Sequence, residues 1–124
     1  MDFTALKAYL LDKPCTECLF PFGEDVHVFK VRNKMFALIG WRNDLMMLNL
    51  KCEPSESLML QDIFSAITPG YHMDKKHWIS VYFDQSVPNG EVLRLIDNSF
   101  KLVVNNMSKK DQQSITEIMG ALDD

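Results

Sequence analysis

A chain of 124 residues, 47% of them apolar and 24% charged, fits a single domain over residues 1–124 and excludes a disordered or fibrous polypeptide. Its apolar runs fall far short of the ~20 residues that span a bilayer, and Met1-Asp2-Phe3-Thr4 lacks the basic, apolar and small-residue order of a signal peptide, so no membrane contact and a cytoplasmic location are expected. A net charge of −4 leaves only a local basic patch for any nucleic-acid role, because phosphate neutralisation drives most of that affinity.

Asp2 is placed to cap a first helix through Phe3, Leu6 and Leu10, and Pro14 ends it by Lys13. A loop is expected through Pro21 and Gly23. Val26–Arg32, Met35–Trp41 and Leu45–Lys51 read as three strands joined by short turns at Asn33-Lys34 and Arg42-Asn43-Asp44, hence an antiparallel meander. Pro54 suits the first turn of a helix running to Ala66, which Thr68-Pro69-Gly70 breaks. A polar loop, Tyr71 to His77, leads into a strand from Trp78 to Phe83. Pro88 opens a long helix with Val92, Leu95, Ile96, Ser99, Val103 and Met107 on one stripe. Ser108 and Asp111 carry capping spacing for a last helix bearing Ile115, Ile118, Met119 and Leu122.

Strands that come as a block favour an α+β fold of two layers, an antiparallel sheet with helices packed on one face. Alternation assigns Phe29, Val31, Phe36, Leu38, Leu48, Leu50, Ile79, Val81 and Phe83 to the covered face. The opposite face receives Lys30, Arg32, Met35, Trp41, Met47, Asn49, Lys51, Trp78, Ser80 and Tyr82. This mixture of bases and aromatics is the most informative feature of the sequence. It suits phosphates on Lys30, Arg32 and Lys51 with bases stacked on Trp78 and Tyr82. It also suits a half-solvated sheet whose long basic side chains cover aromatics, or a seam between copies.

The Tyr71–Trp78 loop gathers Lys75, Lys76 and His77, which suit a phosphate, while His72 and His77 suit bonds that hold the loop to the sheet. Three cysteines, Cys15, Cys18 and Cys52, are an odd number and argue against a disulfide framework. Cys15 and Cys18 have the spacing of a zinc knuckle but no second close ligand pair, so no metal and no cofactor are expected. A nucleophile elbow and a phosphate-cradling glycine loop are both absent from the sequence, and no enzymatic activity is expected.

Lys34-Met35-Phe36-Ala37-Leu38-Ile39, Leu50-Lys51-Cys52-Glu53-Pro54, the run Pro69-Gly70-Tyr71-His72-Met73-Asp74-Lys75-Lys76-His77-Trp78 and Ser99-Phe100 resemble the MmcQ/YjbR family in order and spacing over nearly the whole chain. The resemblance implies a secretion-chaperone-like, CyaY-like α+β fold and a small bacterial cytoplasmic protein, described as DNA-binding and without known catalysis. By motif position it implies Lys34, Lys51, His72, Lys75, His77 and Trp78 as functional candidates. Phe100 departs from it, since the family often has tyrosine there. The resulting expectation is a non-enzymatic DNA-binding protein using Lys30, Arg32, Lys34, Lys51, His72, Lys75, Lys76, His77 and Trp78. The alternative is a chaperone-like adaptor that binds a partner chain through the same face.

Overall fold

The computed structural model describes residues 1–123, with side chains through residue 118. The first helix, α1 (Phe3–Leu11), is capped by Asp2, whose carboxylate accepts from the Ala5 amide at 2.8 Å. Six strands follow with one helix among them: β1 (Thr16–Leu19), β2 (His27–Val31), β3 (Lys34–Arg42), β4 (Leu45–Lys51), α2 (Pro54–Ile63), β5 (Ile67–Pro69) and β6 (Trp78–Tyr82). The chain then enters α3 (Asn89–Asn105) and α4 (Lys109–Asp123). The strands pair antiparallel throughout, in the order β1-β2-β3-β4-β6-β5. The fold is α+β, as the block of strands predicts.

Two elements were not expected. β1 occupies the stretch read as loop, and β5 the segment read as the breaker after α2. Both are edge strands of three or four residues, too short to display alternation. The meander itself is set by its turns. Arg32 and Asn33 (φ 48° and 67°) and Asn43 and Asp44 (φ 54° and 64°) form two-residue connections with both central residues left-handed. That geometry matches the twist of the flanking strands.

α3 lays its stripe of Val92, Leu95, Ile96, Ser99, Phe100 and Val103 across β2, β3 and β4, burying Phe29, Ile39, Leu48, Leu50 and Ile79 beneath it. Ile115 of α4 joins this core; Met119 and Leu122, assigned to the same helix face, lie outside the described side chains. The register between β2 and β3 jumps: Phe29 faces Ala37 but Lys30 faces Met35, so Phe36 is the extra residue of a bulge. Phe36 and Ala37 therefore both enter the helix-side core, and parity inverts beyond them.

Two face assignments are corrected by that bulge. Leu38 belongs to the uncovered face, where it packs with Val28 and Met47. Trp41 belongs to the helix side, with its ring 5.5 Å from Phe3 of α1 and 6.0 Å from His27. A third correction concerns Arg32. It sits in the hairpin turn instead of the strand, and its guanidinium donates to Ser114 of α4.

Candidate functional site

The face of the sheet without helices is partly roofed by the loop between β5 and β6. Asn49, almost fully buried in the middle of β4, donates through Nδ2 to the Tyr71 carbonyl at 3.2 Å and accepts from the Ser80 hydroxyl. Ser80 Oγ in turn accepts from the Tyr71 amide at 2.8 Å. These three bonds satisfy every buried polar atom they join and fix Tyr71 over the sheet. The Tyr71 ring is then enclosed: the Arg42 guanidinium lies 4.0 Å from its centroid and the His72 ring centroid is also 4.0 Å away. Arg42 is held from a second side by a 3.0 Å bond from Nη1 to the Tyr82 hydroxyl oxygen.

The rest of the loop closes on itself. Asp74 accepts from the Lys76 amide at 2.9 Å and pairs with His77 Nδ1 at 3.0 Å. The His77 bond, followed by the Lys76 amide, holds the Asp74 carboxyl below the ordinary carboxylate range. Lys75 reaches back to the Gly70 carbonyl at 3.0 Å. Gly70 is required by closeness and not by its torsion: a Cβ there would come within 2.8 Å of Trp78 Cβ.

The nine residues expected from the sequence separate into groups. Lys30, paired with Met35, and Lys51, paired with Trp78, stand on the open face at one end of the sheet. Ala37 faces Leu50, which sets Lys51 beside the bulge at the start of β3. Lys30 and Lys51 are thus two strands apart, about 10 Å between backbones. Lys34 shares this end of the sheet but pairs with the core residue Val31, so parity turns it toward the helix side. Lys76 is exposed in the loop that enters Trp78. His72, Lys75 and His77 are engaged within the loop, and Arg32 with α4. Among the described residues, the ion pairs are Lys13–Asp97, His77–Asp74 and those of Arg94 with Glu56 and Glu91, so none of the lysines expected at the site is neutralised this way. Glu17 faces Lys30 across β1 and β2 in the register without closing such a pair.

Lys51, His77 and Trp78 also border a depression of about 410 Å³ shared with Cys52 and the C-terminal part of α3. Burial and the adjacent Glu56 push the Cys52 thiol up to about 11, away from the thiolate a nucleophile or metal ligand needs. No cluster of three or more histidine, cysteine or acidic side chains suited to a metal occurs among the described residues.

A second feature on the open face was not anticipated. Val26, Met35, Leu38, Met47 and Met73 line a groove of about 370 Å³ beside Tyr71 and the rim of Trp41. Its signal in the sequence was slight: Asn49 is a polar residue between Leu48 and Leu50 in a strand otherwise fit for a core.

The YjbR family profile matches residues 11–102. The chain belongs to the YjbR family. It is 40% identical over 109 residues to the uncharacterized protein YbdF of Escherichia coli O157:H7, covering 88% of this chain and 89% of that one. It is 25% identical over 118 residues to the uncharacterized protein YjbR of Escherichia coli K12, covering 95% of this chain and all of the relative. Among solved structures, the Deinococcus radiodurans protein DR2400 superposes with a TM-score of 0.83 at 30% identity, over 91% of this chain and 86% of that one. A Pseudomonas syringae protein superposes with a TM-score of 0.72 at 28% identity, over 83% and 99%. The open sheet face and its pinned loop are therefore features of a YjbR protein. No helix described here is long and apolar enough to cross a membrane.

Proposed function

We propose that this YjbR protein is a non-enzymatic DNA-binding protein of modest affinity, acting in the cytoplasm through the basic end of its open sheet face. The observation that carries the reading is the placement of Lys30 and Lys51 on that face, beside the half-buried Trp78, with no ion pair to a carboxylate among the described residues. The exposed Lys76 extends the positive rim, and Lys34 adds charge at the same end of the sheet from its helix side. Phosphates would lie against these ammonium groups, and Trp78 offers an apolar surface for a sugar or an unpaired base. The contacts are to the backbone, so sequence preference is weak; among the described residues no basic helix is positioned to read a major groove. His72, Lys75 and His77 contribute by shaping the loop rather than by contact.

The test is a titration of labelled duplex and single-stranded DNA at 50 and 200 mM salt. With two to four phosphates neutralised, affinity should fall by roughly 10- to 100-fold across that range. Lys30→Glu with Lys51→Glu should abolish binding, while Lys75→Glu should change it little. Binding that ignores salt would instead favour the competing reading, an adaptor that docks a partner chain on the same face. The exposed Phe22 ring and the apolar groove beside the lysines favour that second reading.

A further inference from the structure

We infer that the groove on the open face is a binding site for a free long-chain carboxylate. The groove runs beside β3, and its lining contains no aspartate, glutamate, lysine or arginine. Both ends carry a cation. Lys30 is the register partner of Met35 at one end, and Arg42 follows Gly40 by two positions on β3, hence on the same face, at the other. Neither cation has an ion pair among the described residues: Glu17, which faces Lys30 across β1 and β2, and Asp44, two positions beyond Arg42, do not supply one.

Arg42 is the better anchor. Stacking on Tyr71 and the bond to Tyr82 fix its plane, while Nε and Nη2 make no hydrogen bond among the described residues. A planar guanidinium held in place this way matches the two oxygens of a carboxylate. The lining itself selects the rest of the ligand. Met35, Met47 and Met73 are unbranched and polarisable, and adapt to a flexible alkyl chain better than to a rigid ring. Of the polar groups in the lining, Asn49 has its amide oxygen and nitrogen engaged and the His72 ring lies against Tyr71, so the groove offers few free groups to a base edge or a peptide bond. Charge complementarity at the ends and an aliphatic body together specify an anionic amphiphile. This inference does not rest on the DNA reading, and either can fail without the other.

Titrating octanoate, decanoate and dodecanoate below their micelle concentrations, with Trp41 emission read in a Trp78→Phe background, tests it. The expected result is saturation at one site, with affinity rising about fourfold per added methylene. Arg42→Gln should weaken decanoate about tenfold and leave decanol unchanged. Gly40→Val should remove binding of both. A Cβ at Gly40 would make ordinary contacts of 3.6 Å with Met47 and 3.7 Å with Leu38, so a side chain can start into the groove there. Met73→Glu, on the loop, places a repelling charge in the same space and serves if Gly40→Val does not fold. Absence of saturation would overturn the assignment. So would equal affinity for decyltrimethylammonium, unchanged binding in both groove variants, or capture by anionic phosphatidylglycerol vesicles without any response to decanoate.

Discussion

The Ser99 hydroxyl donates to the Phe36 carbonyl over 2.6 Å and at the same time accepts from the Lys51 amide at 2.9 Å. The β3–β4 register ends at Ala37 and Leu50, one position short of Phe36 and Lys51, and one side chain from α3 bonds both of these backbone groups. The same contact locks the helix layer to the end of the sheet that carries Lys51.

Ser99→Ala should therefore cost more than the loss of one hydroxyl suggests. Two backbone groups are left unpaired against a fully buried side chain, at about 1–3 kcal/mol each before relaxation. Urea unfolding should show a stability loss of roughly 2–4 kcal/mol with an unchanged slope. A loss under about 0.5 kcal/mol would mean that water replaces the hydroxyl.

Gly70→Ala should displace the loop. The added methyl would meet Trp78 Cβ at 2.8 Å and the Trp78 carbonyl at 3.1 Å, and backbone must move to relieve it. A destabilisation of about 1–3 kcal/mol is expected, with faster amide exchange from residues 71 to 77. The Lys75 contact to the Gly70 carbonyl should go with it.

His27 predicts a pH dependence. Its buried Nδ1 has no hydrogen-bond partner among the described residues, and the ring lies among Phe3, Phe20 and Trp41. Burial, then the nearby Lys7, depress its pKa below the ordinary 6.5, against a smaller opposing pull from Asp25. The unfolded chain thus takes up the proton first as pH falls. The stability due to a neutral His27 is complete above about pH 6.5 and is lost as pH drops through that value toward the lower folded pKa. Unfolding midpoints at pH 8, 6.5 and 5 should fall less steeply in His27→Phe than in the parent.

Cys52 should resist thiol reagents at pH 8 until the protein unfolds. It is 5% exposed and its pKa is pushed up to about 11. Mass spectrometry after brief iodoacetamide treatment should find label on the partly exposed Cys15 before Cys52. Early modification of Cys52 would indicate that α2 opens away from the sheet.

Much of this architecture was legible because long elements repeat a period. β4 ran where its alternation placed it, and the stripe expected on α3 is buried from Val92 to Val103 with Phe100 added, whereas Met107 lies past the helix end and is only partly buried. β1 and β5 were not legible, since three or four residues cannot show a period and both are defined by neighbours distant in sequence. Parity along β3 failed at one residue: Phe36-Ala37 looks like any apolar pair, and a bulge depends on what the partner strand does. For the site, Lys30, Lys51 and Trp78 were placed correctly by alternation alone. The roles of Tyr71 and Asn49 were hidden because their bond joins residues 22 positions apart. Loop residues such as Lys75 looked available because sequence does not reveal which backbone carbonyl lies within reach.

The sheet ends on its two shortest strands, and Pro69 closes one of them without an amide hydrogen to offer. A foreign strand approaching either border would find only a few backbone groups to ladder onto. Self-association through sheet extension is thereby discouraged, which leaves the broad open face, and not the sheet borders, as the surface presented to other molecules.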